Sequence, residues 1–263
     1  MRKETNASPT SATRSFVASL QKGLAVLTCF DRAHPRLSVS AVARLTGMTP
    51  ASARRSLLTL HELGYVGHDG KLFWLLPKVL LVANAYLASR PLPGLVQPIL
   101  DGLAERTRES ASVAELLDDD AIVIARATAR QSLSVGLRIG SRLPAYCSAT
   151  GRVLLAGLPP HEAVRRVTAM DITALTPRTR TTAEEVLLHV DFCRAQGYAV
   201  CDGELELNVR SLAVPVYNRA GDTVAALSIA VRADRMPLNE LARSFLPVLR
   251  KAQARLKEQL FET

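Results

Sequence analysis

The feature that most constrains how this chain folds is a short helix, a turn that contains glycine and then a longer helix. Ser38 is a predicted N-cap for a helix over Val39–Leu45, and Gly47 is predicted to end that helix. Thr49 is a predicted cap for the next helix, Pro50–Leu63, because proline favours the first helical position. This order and spacing are typical of a helix-turn-helix.

The segments on either side of these two helices predict a winged form of the motif. Arg14–Phe30 is predicted to be a helix because its apolar residues recur at three- and four-residue steps. That apolar stripe consists of Val17, Leu20, Leu24 and Leu27. After the motif, two β-prone runs, Tyr65–Val66 and Lys71–Trp74, flank an Asp-Gly pair and predict a hairpin. We therefore predict a winged helix-turn-helix over residues 14–76, preceded by a disordered arm over residues 1–13.

A nearly uniform apolar helix is predicted to link this module to the rest of the chain, over residues 77–91. The segment Pro77–Ser89 is apolar on all sides, and such a helix must be buried. The predicted cover is the same helix of a second copy, which predicts a homodimer, and the alternative is packing on the chain's own C-terminal part. A break is expected at Arg90–Gly94, where two prolines and a glycine occur.

The remaining residues, 92–263, are predicted to form one larger α+β domain. Short turns join consecutive strands, which favours a mainly antiparallel sheet of about six strands with helices packed on it. The predicted helices are Leu95–Arg108, Ser148–Leu158, Pro160–Thr168, Thr182–Gln196 and Pro237–Leu260. The predicted strands are Ser112–Leu117, Ala121–Ala127, Leu133–Arg138, Tyr198–Cys201, Arg210–Tyr217 and Thr223–Val231.

The distribution of charge points to the partner of the N-terminal module. Residues 1–78 carry 11 lysines and arginines against 4 aspartates and glutamates, a net charge of +7 out of the chain's +9. A small basic module beside a nearly neutral domain suggests contact with phosphate. The four cysteines are widely spaced, so neither a zinc finger nor a disulfide framework is predicted, and a cytoplasmic protein without a membrane span is expected.

The third helix carries side chains that suit the major groove of duplex DNA. With Ala53 and Leu57 facing the core, the helical periodicity turns Ser52, Arg54, Arg55 and Thr59 outwards. Arginine can hydrogen-bond guanine or phosphate with two nitrogens, and serine and threonine can contact either. Phosphate contacts are further predicted for Thr49 at the helix N-terminus, for Ser19 and Lys22 on the first helix, and for Lys71 in the wing.

These segments together resemble the IclR family of transcriptional regulators. The N-terminal likeness lies in Ser19–Leu27, Leu37–Ser40, Ala53–Leu60 and Leu63–Val66, and the C-terminal likeness in Arg142–Ala156, Gln196–Glu206 and Arg210–Val216. The resemblance covers about Ser15 to Leu260. It implies an α+β chain in which a winged helix-turn-helix is joined by a linker helix to a GAF-like effector-binding domain with an antiparallel sheet.

Within that family, the likeness is to the PcaR/PobR branch, which regulates the catabolism of aromatic acids through the β-ketoadipate pathway. It implies an aromatic or dicarboxylic acid as effector, such as protocatechuate, 4-hydroxybenzoate or β-ketoadipate. It also implies homodimers or dimers of dimers on palindromic operators. Asn208-Val209 departs from the Gly-Leu that is common in the family at these positions, which lie near its effector pocket, so the effector is less constrained than the fold.

A helix N-terminus is the predicted seat for the acid. The loop that leads into a helix near Ser148 offers free backbone N–H groups at Ala149, Thr150 and Gly151, and the helix dipole favours an anion there. The resemblance implies that Cys201, Asp202, Val209, Ser211 and Ser228 line the rest of the pocket. Arg138 and Arg142 could supply counter-charge, although both are expected to be exposed.

Two other kinds of function compete with acid sensing. A cysteine enzyme would need a histidine beside Cys147 or Cys201, but no catalytic motif is present, and we predict neither an enzyme nor a metal or cofactor. A redox- or metal-responsive regulator on the same scaffold could use Cys147 and Cys201, because a cysteine beside a helix N-terminus can be acidic and reactive.

Overall fold

The structure is a computed structural model that describes residues 16–89, 91–129 and 136–261. The chain divides between residues 86 and 87 into two compact units. The division falls inside the segment predicted to be a linker helix. The predicted arm over residues 1–13 lies outside the described residues.

The N-terminal unit is a small helical domain with a two-stranded wing, as predicted. Its core is formed by Val26, Val42, Leu57, Val66 and Phe73, together with neighbouring apolar residues. The strands pair antiparallel, with His68 opposite Phe73. In chain order the elements are α1 (Ala18–Thr28), α2 (Val39–Thr46), α3 (Pro50–Glu62), β1 (Val66–His68), β2 (Phe73–Leu75) and α4 (Val79–Ser89).

Side-chain caps and one glycine set the bounds of α2 and α3. The Ser38 hydroxyl accepts a hydrogen bond from the backbone N–H of Ala41 (3.3 Å), and the Thr49 hydroxyl accepts one from that of Ser52 (3.3 Å). Gly47 ends α2 with a φ of 67°, a left-handed conformation that favours glycine. The predicted helix-turn-helix is therefore confirmed.

The apolar stripe predicted on the first helix meets the core only at its C-terminal end. Leu27 is half-buried against the core, whereas Val17, Leu20 and Leu24 are exposed, and Val26 is the residue of α1 that is buried. Leu20 and Leu24 line a groove between α1 and α3. On α4 likewise, Leu80, Leu81 and Val82 are all exposed, and no residue of that helix is buried in a single copy.

The C-terminal unit is built on a six-stranded sheet in which every neighbouring pair of strands is antiparallel, with the order β5-β4-β3-β8-β7-β6. The strands are β3 (Ser110–Leu117), β4 (Asp120–Ala127), β5 (Arg142–Pro144), β6 (Ala199–Asp202), β7 (Val209–Tyr217) and β8 (Thr223–Arg232). The helices are α5 (Pro91–Thr107), α6 (Ala149–Ala156), α7 (Pro160–Ala169), α8 (Ala183–Gln196) and α9 (Leu238–Phe261). The predicted α+β fold with an antiparallel sheet is confirmed.

Two predictions about this unit need correction. A break between helices does fall in the segment Arg90–Gly94, but it is shorter than predicted, because α4 ends at Ser89 and α5 already begins at Pro91. Of the strand expected at Leu133–Arg138, residues 133–135 lie outside the described residues, and residues 136–138 are not a strand. The sixth strand is instead β5, which pairs with the edge of β4.

The two faces of the sheet have different covers. Helices α5 and α9 pack on one face, and α6 packs on the other, where Ala114, Val123, Val153, Ala213 and Ala226 form an apolar cluster. A β-bulge interrupts the pairing of β3 with β4, since Val113 pairs with Ala125 whereas Ala114 pairs with Val123. Side chains on the α6 face line the cavity that is described below.

In the part of the chain that the structure describes, no single helix is both long and apolar enough to cross a membrane. The bent pair Val79–Ser89 and Leu92–Thr107 would pass that test by length and composition alone.

Candidate functional site

The outer face of α3 presents two adjacent arginines. Arg54 and Arg55 are exposed, as is Thr59, while Ala53 and Leu57 are buried in the core. The hydroxyl of Thr59 donates a hydrogen bond to the backbone oxygen of Arg55 (3.0 Å). No acidic side chain forms an ion pair with either arginine among the described residues, so both guanidinium groups are available to an anionic partner.

Helices α1 and α3 form a groove of about 720 Å³, here called the α1–α3 groove. The predicted DNA-contacting residues that line it are Ser19, Lys22, Ser52, Arg55 and Thr59. The expectation that Ser52 points outwards is wrong, because that residue is only 8% exposed. It lies in the first turn of α3 on the side next to the core residue Ala53, where little of its surface reaches solvent.

Thr49 and Lys71 lie outside the groove. Thr49 is exposed, and its hydroxyl oxygen is occupied as the cap of α3. Lys71 is exposed in the turn between β1 and β2, where its backbone N–H donates to the Asp69 carboxylate (3.1 Å). Both side chains lie at the surface, as predicted, but each lies apart from the residues that meet in the groove.

Arg36 stabilises the wing, a role that sequence reasoning missed. Its guanidinium donates to Asp69 (2.9 Å) and lies over the ring of Trp74, 4.3 Å from the ring centroid. The exposed ion pair contributes little alone, and the stacking on tryptophan adds to it. Because the partners are 33 and 38 positions away in the chain, no local pattern could reveal them.

In the C-terminal unit, the N-terminus of α6 borders a small buried cavity, here called the α6 cavity, of about 50 Å³. The predicted effector-contacting residues that line it are Ser148, Ala149, Thr150, Cys201, Val209, Ser211 and Ser228. Ala149 and Thr150 are the first two residues of α6, so their N–H groups have no acceptor within the helix. The structure thus brings most of the predicted pocket to one place.

Gly151 and Asp202 do not line the α6 cavity. The N–H of Gly151 donates to the Ser148 hydroxyl (3.1 Å), so it is not free for an anion. A Cβ at this position would lie 2.2 Å from the Cα of Ala145, so glycine is needed for the close approach of α6 to that backbone. The Asp202 carboxylate accepts hydrogen bonds from Arg178 (2.7 Å) and Arg210 (2.6 Å) instead.

A buried ion pair supports the cavity wall, to which one partner, Glu204, itself belongs. Arg152 is 0% exposed and Glu204 is 5% exposed, and two hydrogen bonds join them, at 2.7 Å and 2.5 Å. Arg152 also donates to Cys201 Sγ (3.3 Å) and to the backbone oxygen of Tyr146 (3.2 Å). Four hydrogen bonds therefore fix the guanidinium, which ties α6 to the segment after β6. Sequence reasoning missed both residues as parts of the site, although both stand in the segments that carry the family resemblance.

The two cysteines considered for redox chemistry are buried thiols. The pKa of Cys147 and of Cys201 is raised to about 12. Burial is the main cause, and the nearby Glu204 carboxylate contributes to the increase at both thiols. The helix N-terminus that was expected to acidify Cys147 is outweighed by this desolvation. Among the described residues, no three His, Cys, Asp or Glu side chains form a group that could hold a metal ion. The arrangement favours neither a reactive thiolate nor a metal centre.

Arg138 and Arg142, considered as counter-charges, are both exposed. Arg142 forms an ion pair with Asp120 across the β4–β5 edge. Neither side chain lines the α6 cavity.

Models of two protein domains match the chain. The model described as the IclR helix-turn-helix domain matches residues 19–70. The model described as the C-terminal part of the bacterial transcriptional regulator IclR matches residues 84–257, well over half of the chain. Between them they cover α3 with its two arginines and the whole of the α6 cavity.

Individual proteins are similar over nearly the whole chain. The Pca regulon regulatory protein of Pseudomonas putida is 40% identical over 94% of this chain and 85% of its own length. A crystallised protein of Rhodococcus sp. RHA1, assigned as a transcriptional regulator, is 43% identical over 94% of this chain and 99% of its own, with a TM-score of 0.78. A double mutant of the PobR inducer-binding domain from Acinetobacter, in complex with 3-hydroxybenzoic acid, is 31% identical over 63% of this chain and 97% of its own, with a TM-score of 0.59.

Proposed function

The chain belongs to the IclR family of bacterial transcriptional regulators, and we propose that it binds palindromic operators as a homodimer and senses a small aromatic or dicarboxylic acid. Because the family consists of DNA-binding regulators, the chain is a regulator and not an enzyme. In this proposal residues 14–76 bind duplex DNA, residues 77–91 link the two parts, and residues 92–263 hold the effector. The homodimer, or a dimer of dimers, matches the symmetry of the operator.

The observation that carries DNA binding is the exposed pair Arg54 and Arg55 on the second helix of a helix-turn-helix, in a unit that holds most of the chain's net positive charge. The second helix of this motif is the one that enters the major groove. Arg55 faces the α1–α3 groove beside Lys22 and Ser19, so these side chains can contact the same stretch of DNA backbone. Ser52 contributes little contact surface, because it is buried.

The test is binding of the full chain to a labelled fragment of its own promoter, followed by fluorescence anisotropy at several salt concentrations. Arg55→Ala should weaken binding by roughly 5- to 150-fold if the guanidinium reads a base, since such a contact contributes about 1–3 kcal/mol. If it contacts phosphate, the salt dependence should fall by about one counterion. Arg219→Ala is the matched control, because Arg219 is an exposed arginine in the C-terminal unit. Equal affinity of both variants and the wild type would contradict the proposed interface.

The observation that supports acid sensing is the α6 cavity, which is lined both by Ala149 and Thr150 at the start of α6 and by the serines Ser211 and Ser228 of the sheet. These donors suit a carboxylate and a hydroxyl, and the similar PobR domain binds 3-hydroxybenzoic acid. At about 50 Å³ the cavity is far smaller than the roughly 300–1,000 Å³ of most ligand pockets. Binding therefore requires the walls to move apart. The ligand then has a higher affinity for the open state of the cavity than for the closed state, and such a difference is what allows a ligand to switch a protein between two states.

The proposed acid should raise the melting temperature of the full chain, because a ligand that binds only the folded state stabilises it. A panel of aromatic and dicarboxylic acids tests this by thermal shift, and operator binding is measured in the presence of each acid that stabilises the protein. Acids that neither stabilise the chain nor change its affinity for the operator would contradict acid sensing.

The homodimer is supported by apolar surface that a single copy leaves exposed. Val17 at the N-cap of α1 and the α4 residues Leu80 and Leu81, none of which lines the α1–α3 groove, are all more than half exposed. Contiguous apolar surface of this kind marks an association site. A second copy would cover the same residues from its own α1 and α4, as a twofold interface requires.

A further inference from the structure

Arg126 on β4 lies on the same face of the sheet as the α6 cavity. The strand register places Arg126 opposite Ser112, and Ser112 opposite Ser228 on β8. Directly paired residues of neighbouring strands point to the same face. Ser112 and Ser228 line the α6 cavity, and the register places Arg126 one strand further along the same row, although Arg126 itself is not among the residues that line the cavity.

The guanidinium of Arg126 is buried without a partner. All three of its nitrogens, Nε, Nη1 and Nη2, are inaccessible to solvent, and none of them has a hydrogen-bond partner in the part of the chain that the structure describes. Among the described residues, no acidic side chain forms an ion pair with it. Burial lowers the pKa of Arg126 with no opposing charge to raise it.

A buried guanidinium without a partner destabilises the folded protein. In this respect Arg126 differs from Arg152, whose guanidinium is also buried. Arg152 makes four hydrogen bonds, two of them to Glu204. Arg126 makes none with any described residue, although a buried cation without a partner destabilises the folded state strongly. A group of this kind requires an explanation, and a bound anion is the simplest one.

We propose that Arg126 binds a carboxylate of the effector, as an extension of the α6 cavity past Ser112. The planar guanidinium can donate two parallel hydrogen bonds to a carboxylate, a geometry that serine hydroxyls cannot offer. This inference rests on the proposed function and adds to it a residue that selects for the charge of the ligand.

The position of Arg126 also narrows the class of ligand. Arg126, Ser112 and Ser228 are paired across β4, β3 and β8, and the two serine hydroxyls are 3.2 Å apart. The N–H groups of Ala149 and Thr150 lie at the start of α6. A ligand that uses both sets of donors has two oxygen-bearing ends: a carboxylate at Arg126, and a hydroxyl or second carboxylate at α6. The carboxylate of Glu206, which also lines the cavity, disfavours an anion on its own side.

The test compares Arg126→Met with the wild type in the full-length protein. The probes are 3-hydroxybenzoate, 4-hydroxybenzoate and adipate, each beside its monomethyl ester, with affinity measured by calorimetry. We expect the wild type to prefer at least one acid over its ester, and Arg126→Met to bind that acid roughly 30-fold more weakly or worse while its affinity for the ester changes little. Without ligand, Arg126→Met should melt at a higher temperature than the wild type, because it lacks the unpaired buried cation.

Arg142→Met is the matched control, since it removes an exposed arginine from the same sheet. An unchanged acid affinity in Arg126→Met, or equal losses for acid and ester, would overturn the role of Arg126 while leaving acid sensing intact. A lower melting temperature of ligand-free Arg126→Met would overturn it as well, since it would mark a structural role. If none of the acids binds the wild type, the proposed acid sensing fails, and this inference fails with it.

Discussion

Removing the carboxylate of Glu204 should destabilise the C-terminal unit strongly. In Glu204→Leu, Arg152 keeps its charge at 0% exposure and loses two of its four hydrogen bonds. Breaking one partner of a buried ion pair costs about 3–5 kcal/mol, a large part of the roughly 5–15 kcal/mol that stabilises a typical fold. Arg152→Met/Glu204→Leu should return to within about 1 kcal/mol of the wild type, because two apolar side chains can replace a buried pair.

Urea denaturation provides the measurement, because the two units carry different probes. The chain has one tryptophan, Trp74, and it lies in the N-terminal unit, so its fluorescence reports on that unit alone. Far-UV circular dichroism includes the helices and strands of the C-terminal unit. Glu204→Leu should lower the urea midpoint of the dichroism transition by roughly 1–3 M, and the fluorescence transition should stay in place.

A double-mutant cycle of the changes at positions 152 and 204 measures the coupling energy of the ion pair. A coupling energy of about 3 kcal/mol or more is expected between positions 152 and 204. If Glu204→Leu alone cost less than about 1 kcal/mol, or if the double variant were no more stable than the single one, the ion pair would not hold the cavity wall.

Two further predictions concern the thiols and the oligomeric state. Because the pKa of Cys147 and of Cys201 is raised to about 12, both should stay protonated and unreactive towards a disulfide reagent at pH 8. The two buried, protonated thiols contribute to the free energy of unfolding in full below the ordinary thiol pKa near 9, and this contribution should be lost as the pH rises from about 9 to about 12. Rapid labelling of the folded protein at pH 8 would contradict the raised pKa. Leu81→Glu should shift the chain from dimer to monomer in sedimentation, whereas Leu188→Glu, at an equally exposed leucine of α8, should not. A dimer that survives Leu81→Glu would remove α4 from the interface.

The elements that the sequence predicted well depend on neighbours a few positions away. Ser38 and Thr49 cap their helices through hydrogen bonds to backbone N–H groups three residues on, and Gly47 ends α2 by its own conformation. Such features can be read from a short window. Five of the six strands of the C-terminal unit were equally accessible, because their buried faces require apolar or alternating residues, whereas the three-residue strand β5 was too short to show such a pattern.

The predictions that failed needed information that a short stretch of sequence does not contain. The stripe on α1 has the right period for a helix, but periodicity does not say whether the apolar side meets the core or another copy. The break before α5 was predicted to extend to Gly94 because of its prolines, yet proline fits the first turn of a helix, where no backbone donor is lost, so α5 begins at Pro91.

The chemistry of the cavity depended most on distant partners. Asp202 looked like a pocket residue until Arg178 and Arg210 were seen to hold its carboxylate. The partner of Arg152 stands 52 positions away, and nothing in the sequence around Arg126 indicates that its guanidinium is buried. Long-range pairs of this kind require the fold.

The bulge in β4 decides on which side of the sheet Arg126 lies. Because Ile124 has no counterpart on β3, the alternation of side chains restarts after it, and Arg126 joins Val123 on the α6 face. If β4 kept the same residues but paired with β3 without the bulge, regular alternation from Val123 would turn the guanidinium towards α5, with the identity of every residue unchanged. Whether a relative shares this anion-binding arginine is therefore a question of whether its strand carries the bulge as well as of sequence identity.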